Sequence, residues 1–298
     1  MVTHSRCVMS YCHNCGKMVD EEDWYCPKCG AALKQGSGEL ATESISIGYP
    51  ESENPELEIS VAVAGYIKAE PGGEKLIEGT IEYNLPEWRP EITQTRDIVA
   101  IRQLERYSWR AWDNPVNDWG IKLGTVKPYR LKVKAGVGRG TWSLGGLPLT
   151  SLSVDTGVSQ SQISFDAPNP HTMNVLRIQT GVGETRLTGL LNARFREMRL
   201  SGGVGEVKLE FTGSKPEQDT HIKIDGGVGA FDVKLDQAVP AVFYVSGLTG
   251  VTTRGGVVKR RGGFGRGEYA TEAFESNGGP KLVFDISLGV GGVTLSTL

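Results

Sequence analysis

Five stretches of the chain set the fold when aligned with one another: LKVKAGVGRGTWSL (131–144), LSVDTGVSQSQISF (152–165), LRIQTGVGETRLTG (176–189), MRLSGGVGEVKLEF (198–211) and IKIDGGVGAFDVKL (222–235). They begin at Leu131, Leu152, Leu176, Met198 and Ile222, and a sixth unit begins at Phe243, so the repeat recurs about every 21 to 24 residues. Two positions on, the apolar residue returns as Val133, Val154, Ile178, Leu200, Ile224 and Val245. Glycine holds position five in Gly136, Gly157, Gly181, Gly203 and Gly227, and all but one of these units continue as GVG through Gly138, Gly183, Gly205 and Gly229, with Ser159 as the exception. Position eleven carries Trp142, Ile163, Leu187, Leu209 and Val233, and position thirteen Leu144, Phe165, Gly189, Phe211 and Leu235. One such unit cannot bury its apolar side alone, but stacked units form continuous inner columns. The pattern predicts an all-β chain, a β-solenoid whose glycines turn the strand at positive φ and whose central valines point inward.

Working outward, LVFDISLGVGGVTLS (282–296) restores the pattern as a terminal coil. Its open edge would need cover from self-association or from the chain itself. Residues 246–281 break the register and read as an irregular coil and loop, with a basic run at Arg254, Lys259, Arg260, Arg261 and Arg266. Toward the N-terminus, Leu57, Ile59, Val61 and Val63 alternate, as do Ile77, Ile81 and Tyr83, which marks half-buried strands. Between them and the repeats lie Trp88, Tyr107, Trp109, Trp112, Trp119 and Tyr129. This Trp-rich segment, 88–119 with its flanks, reads either as a cap on the sheet stack or as a binding surface.

The other strong signal is C-x2-C-x10-C-x2-C at Cys12, Cys15, Cys26 and Cys29. Four thiolates on two knuckles suit one tetrahedral zinc ion, Zn2+, with no open position for catalysis. Gly16 and Gly30 follow the second cysteine of each pair, where positive φ lets the backbone curl round the metal. Disulfides or reactive dithiols, and an iron site, are the alternatives for the same residues. Cys7 falls outside the pattern, and because Met9 precedes SYCHNCG, translation starting there would leave Cys7 out. A ribbon this small has to draw its folding free energy from the metal. Its acidic run, Asp20, Glu21, Glu22 and Asp23, opposes contact with phosphate. The expected organisation is a zinc ribbon over 9–34, a flexible acidic linker over 35–56 in which Ile45 and Ile47 could add a short edge strand, and the solenoid over 57–298.

LIEGTIEYNLPEWRPEI (76–92), NPVNDWGIKLG (114–124) and the Gly-x-Gly turns resemble the toast-rack domain family, relatives of the C-terminal domain of bacterial cell-envelope stress-response proteins. Asn84, Pro86, Trp88, Asn117 and Trp119 carry that resemblance. It implies a right-handed, single-stranded β-helix-like stack and brings no established enzyme activity. CHNCGKMVDEEDWYCPKCGAAL (12–33) likewise resembles the short zinc ribbons that begin many bacterial and archaeal membrane or regulatory proteins.

Composition narrows the function. Glycine contributes 40 of 298 residues, nearly double the usual share of about 7%, while the 39% apolar content is too high for a disordered chain. The formal charge of −3 provides no global field for nucleic acid. The longest apolar run, Ala238–Val245, falls far short of the roughly 18 residues that would span a bilayer. With no secretory signal at the start, the chain is expected to be cytoplasmic. Asp155 and Asp225 share one outward column, but three coils put them about 14 Å apart, beyond the roughly 5 to 9.5 Å of a glycosidase pair. His171 and His221 read as surface turn residues with no nucleophile in a motif. The expectation is a non-catalytic interaction or scaffold protein with a protein partner or self-association. Nucleic-acid or anionic membrane-surface binding through the basic loop 254–266 is the alternative, and a carbohydrate-active β-helix enzyme a weaker one.

Overall fold

The computed structural model describes residues 10–12, 14–19, 26, 28–29, 39–103, 115–263, 265–276 and 279–298. In the ribbon segment β1 (Ser10–Tyr11) and β2 (Met18–Val19) pair antiparallel. Then come β3 (Ala41–Ile47), β4 (Glu56–Pro71), β5 (Ile77–Tyr83), β6 (Glu91–Gln94), β7 (Ile98–Arg102), β8 (Asn117–Leu123) and β9 (Tyr129–Ser143). The repeats supply β10 (Leu149–Ser164), β11 (Met173–Thr188), β12 (Phe195–Phe211) and β13 (Thr220–Leu235). Last are β14 (Ala241–Arg254), β15 (Val257–Gly263), β16 (Arg266–Thr271), the short helix α1 (Glu272–Ser276) and β17 (Leu282–Thr297). Strands β3 to β17 form one sheet, whose main path runs β15-β16-β14-β17-β13-β12-β11-β10-β9-β4-β8-β5-β3.

Strands β9 to β13 pair parallel and in the register of the repeat, with Leu131 beside Leu152, Leu176, Met198 and Ile222 in turn. The residues between them are only 144–148, 165–172, 189–194 and 212–219. Eight residues reach about 28 Å at most, whereas a straight strand of 15 residues is about 50 Å long. Each strand must therefore double back on itself, so that its end lies near the start of the next. Burial gives the same answer: Leu131 and Val133 lie an odd number of positions from Trp142 and Leu144, opposite faces of a straight strand, yet all four join one core. Each repeat is one coil of a β-solenoid, creased at its glycines.

The crease corrects two expectations. The central valines do not point inward: Val137, Val158, Val182, Val204, Val228 and Val290 are about half exposed, stacked rung on rung along the outside. The bend puts them at its convex apex. The positive φ belongs to the second glycine, as in Gly183 (136°) and Gly205 (146°), and not to Gly181 or Gly203. At both positions a Cβ would collide with the carbonyl oxygen of the preceding rung, so the first glycine is required by close strand approach.

The end of the stack is also reordered. The strand after Ile222 in space begins at Leu282 and not at Phe243: β17 lies between β13 and β14, pairing Phe284 with both Ile222 and Phe243. The expected terminal coil is thus interior, and Phe284 stacks on Phe243 (4.6 Å between centroids) and meets Phe211 edge-on at 5.0 Å. Residues 246–281 are not an irregular coil: β14 runs to Arg254, and β15 and β16 form a hairpin that pairs with β14 and leaves the seven-residue β15 as the outermost strand. At the other end, part of the segment expected as a linker forms the edge strand β3, with Ile45 and Ile47 buried against β5.

Trp88, Trp119 and Tyr129 are buried in the core and line no surface; Tyr107, Trp109 and Trp112 lie outside the described residues. Around them runs a buried amide network: the side chains of Gln103 and Asn117 donate to each other at 3.0 and 2.8 Å, and the Trp119 indole donates to Asn117 at 3.0 Å. Glu58 on β4 is nearly buried, with Arg102 at 2.8 Å, Lys132 at 3.8 Å and Lys134 at 4.0 Å. Desolvation pushes its pKa up, but the Arg102 hydrogen bond and the three cations outweigh it and hold the carboxyl below the usual range.

Candidate metal centre

Each cysteine pair sits on a turn too tight for a strand. In the first, Gly16 adopts φ 66°, its N–H donates to the Cys12 carbonyl at 2.9 Å, and the Cys12 N–H donates to Lys17 at 2.8 Å. This aims Cys12 and Cys15 at the same point. Gly30 and the acidic run 20–23 lie outside the described residues, as does Cys7.

The four sulfurs of Cys12, Cys15, Cys26 and Cys29 all lie within 4.8 Å of one another. Cys12 and Cys29 approach to 3.6 Å, and Cys15 and Cys26 to 3.5 Å. A tetrahedron with metal–sulfur bonds of about 2.3 Å has edges of about 3.8 Å, whereas a disulfide needs about 2.05 Å. The cluster therefore fits a single metal ion, and all four cysteines are free thiols. Asn14 Nδ2 reaches the Cys29 sulfur at 3.7 Å from outside the cluster. Proton sharing splits the acidities. The Lys17 backbone N–H lowers Cys15, but hydrogen bonds with Cys29, desolvation, and the thiols of Cys26 and Cys12 push its pKa up to about 12. For Cys26, desolvation raises the pKa, and the backbone N–H groups of Lys28 and Cys29 outweigh it. A metal entering this cluster must displace protons, so its binding is pH-dependent.

The other sequence candidates do not gather into a reaction centre. The register runs Asp155, Gln179, Ser201, Asp225 across three strand spacings, which keeps the two aspartates about 14 Å apart. His171 lies in an exposed connection and His221 is exposed on β13, a strand and not a turn. Of the basic run, Arg254 ends β14 and the other four residues lie on the β15–β16 hairpin, where part of the charge is already used: Arg260 pairs with Glu268 at 3.8 Å and Glu275 at 3.4 Å. Sequence reasoning missed an outward group around Tyr244 and Asp285, because only the insertion of β17 brings those residues together.

Fold and cluster define a β-solenoid protein headed by a four-cysteine ribbon. The chain belongs to the toast-rack family: the N-terminal domain of toast_rack, DUF2154, matches residues 36–188, and the zinc-ribbon domain matches residues 11–33. No curated protein matches the chain. Among solved structures, it is similar to a candidate cell-adhesion protein from Clostridium sporogenes, with 18% identity, 87% of this chain and 100% of that one covered, and a TM-score of 0.46. It is also similar to a candidate adhesin from Bacteroides fragilis, with 13% identity, 88% and 99% covered, and a TM-score of 0.43. These names, a cell-adhesion protein and an adhesin, correct the expectation of a cytoplasmic location. No helix among the described residues is long and apolar enough to cross a membrane.

Proposed function

We propose that this protein is a non-catalytic interaction scaffold. Its solenoid presents rigid outward columns, and its ribbon is a small docking module ordered by one structural zinc ion on Cys12, Cys15, Cys26 and Cys29. The observation that carries the reading is the ladder of half-exposed valines from Val137 to Val290, an apolar stripe on a surface whose other outward columns are largely polar. A monomer keeps such stripes off its surface unless something covers them. Zinc is favoured over the other candidates by four sulfur ligands at tetrahedral spacing with no place for a substrate.

The test has two parts. Elemental analysis of the purified protein should give one zinc per chain, falling to none in Cys29→Ser. Affinity purification from native cells should recover a stoichiometric protein partner that is lost from Val182→Ser/Val204→Ser. Recovery unchanged in that variant, or zinc retained in Cys29→Ser, would refute the corresponding half of the reading.

A further inference from the structure

Where β17 enters the stack, the outward faces of β13, β17 and β14 and residues 261–262 and 266–268 of the β15–β16 hairpin line a cleft of about 430 Å³. Its floor is set by register. Tyr244 lies beside Asp285, and Asp285 beside Lys223; one outward position along, Ser246 lies beside Ser287, and Ser287 beside Asp225. Tyr244 is 46% exposed, an aromatic face turned to solvent in the middle of a well-formed sheet. The wall is Arg261 and Arg266, both exposed.

The chemistry left over in this cleft is specific. Asp225 is held by Lys223 at 3.4 Å, but Asp285, Arg261 and Arg266 have no ion-pair partner among the described residues. Three cations line the cleft, Lys223, Arg261 and Arg266, against three carboxylates, Asp225, Glu268 and Asp285. That balance gives no field for a polyphosphate chain or an anionic bilayer, both of which call for an excess of positive charge. It suits a ligand that carries one anionic group together with several hydroxyls. A guanidinium takes a carboxylate through paired hydrogen bonds, an aspartate accepts from hydroxyls, and a tyrosine ring offers an apolar platform.

We infer that this cleft binds a carboxylated sugar residue of a glycan, with Tyr244 under the pyranose ring, Arg261 and Arg266 on the carboxylate, and Asp285 on the ring hydroxyls. The inference deepens the scaffold reading and rests on it in one respect: the glycan is held and left whole.

The test is an array of oligosaccharides ending in uronic acid, in sialic acid or in neutral sugars, probed with the full-length protein beside duplex DNA and phosphatidylglycerol vesicles. Signal on carboxylated glycans should exceed that on neutral ones at least 10-fold. It should fall 10-fold or more in Tyr244→Ala and in Arg261→Gln/Arg266→Gln, stay within about 3-fold in Tyr244→Phe, and be unmoved in Lys127→Gln, a basic residue outside the cleft. All these positions are exposed, and an unchanged thermal melt checks that each variant folds. Signal on neutral glycans alone, on DNA or vesicles alone, on nothing, or undiminished in the cleft variants would overturn the inference. Shortened oligosaccharide would support the site and overturn the non-catalytic reading, so the two fail separately.

Discussion

Among the described residues between Ser10 and Cys29, the chain buries only Cys12, Val19 and Cys26, and its two strands are two residues long. Between Ala41 and Thr297, one continuous core runs from Ile45 to Leu295. The two regions reach order by opposite routes. The ribbon has too little apolar surface to offset the cost of ordering its backbone, so the convergence of four sulfurs has to supply the difference. The sheet has apolar surface in abundance, and its limiting requirement is room: every rung must come close enough for the next to pair with it. Cysteine spacing governs one region and glycine spacing the other.

The comparison can be broken at the crease first. Gly205→Val puts a β-branched side chain at φ 146° and against the Gly183 carbonyl, and should cost the sheet more than about 4 kcal/mol, read as loss of the urea transition, while zinc stays at one per chain. Metal lost along with the sheet would mean that the regions fold as one. Next, Phe284→Ala removes a ring lodged between Phe211 and Phe243 and should cost about 3 to 5 kcal/mol, as a lower urea midpoint at unchanged slope. A shift below about 1 kcal/mol would show that β17 is not an interior strand.

A smaller effect belongs to Glu58. Its folded pKa is depressed, so its contribution is complete above the ordinary glutamate value of about 4.3 and is lost as pH falls through the lower folded value. Glu58→Gln should therefore cost about 1 kcal/mol at pH 7 and progressively less as the pH is lowered through that depressed value, the partners being half exposed. A cost that does not change as the pH is lowered would assign the effect to packing. Smallest for the sheet is removal of metal: chelation should erase the dispersed amide signals of Cys12 and Cys26 in the ribbon and move the sheet's melting temperature by less than about 2 °C. A larger shift would join what the comparison separates.

Much of this was legible in the residues, and the limits have physical causes. The five-unit register was readable because pairing in a parallel stack puts equal positions side by side, so the spacing from Leu131 to Ile222 is the spacing of the rungs. The four cysteines were readable because metal geometry fixes their separation. The direction of Val182 was not, since alternation predicts facing only along a straight strand, and the crease reverses it. Nor was the place of β17: periodicity states that a segment is a rung and carries no information on which rung it is. The Tyr244 cleft depends on that placement and was hidden with it.

The position of β17 also bears on how the protein is made. A chain grows from its N-terminus, so rungs β9 to β13 can stack one after another as they are synthesised. Residues 241–271 then exist before the strand that joins them to the stack, and β14 with its hairpin has no seat until 282–297 has been translated. For that interval the outer side of β13 is an open template to which a strand of another chain could pair. The order of synthesis therefore sets a brief period of vulnerability, which ends when 282–297 takes its place between β13 and β14.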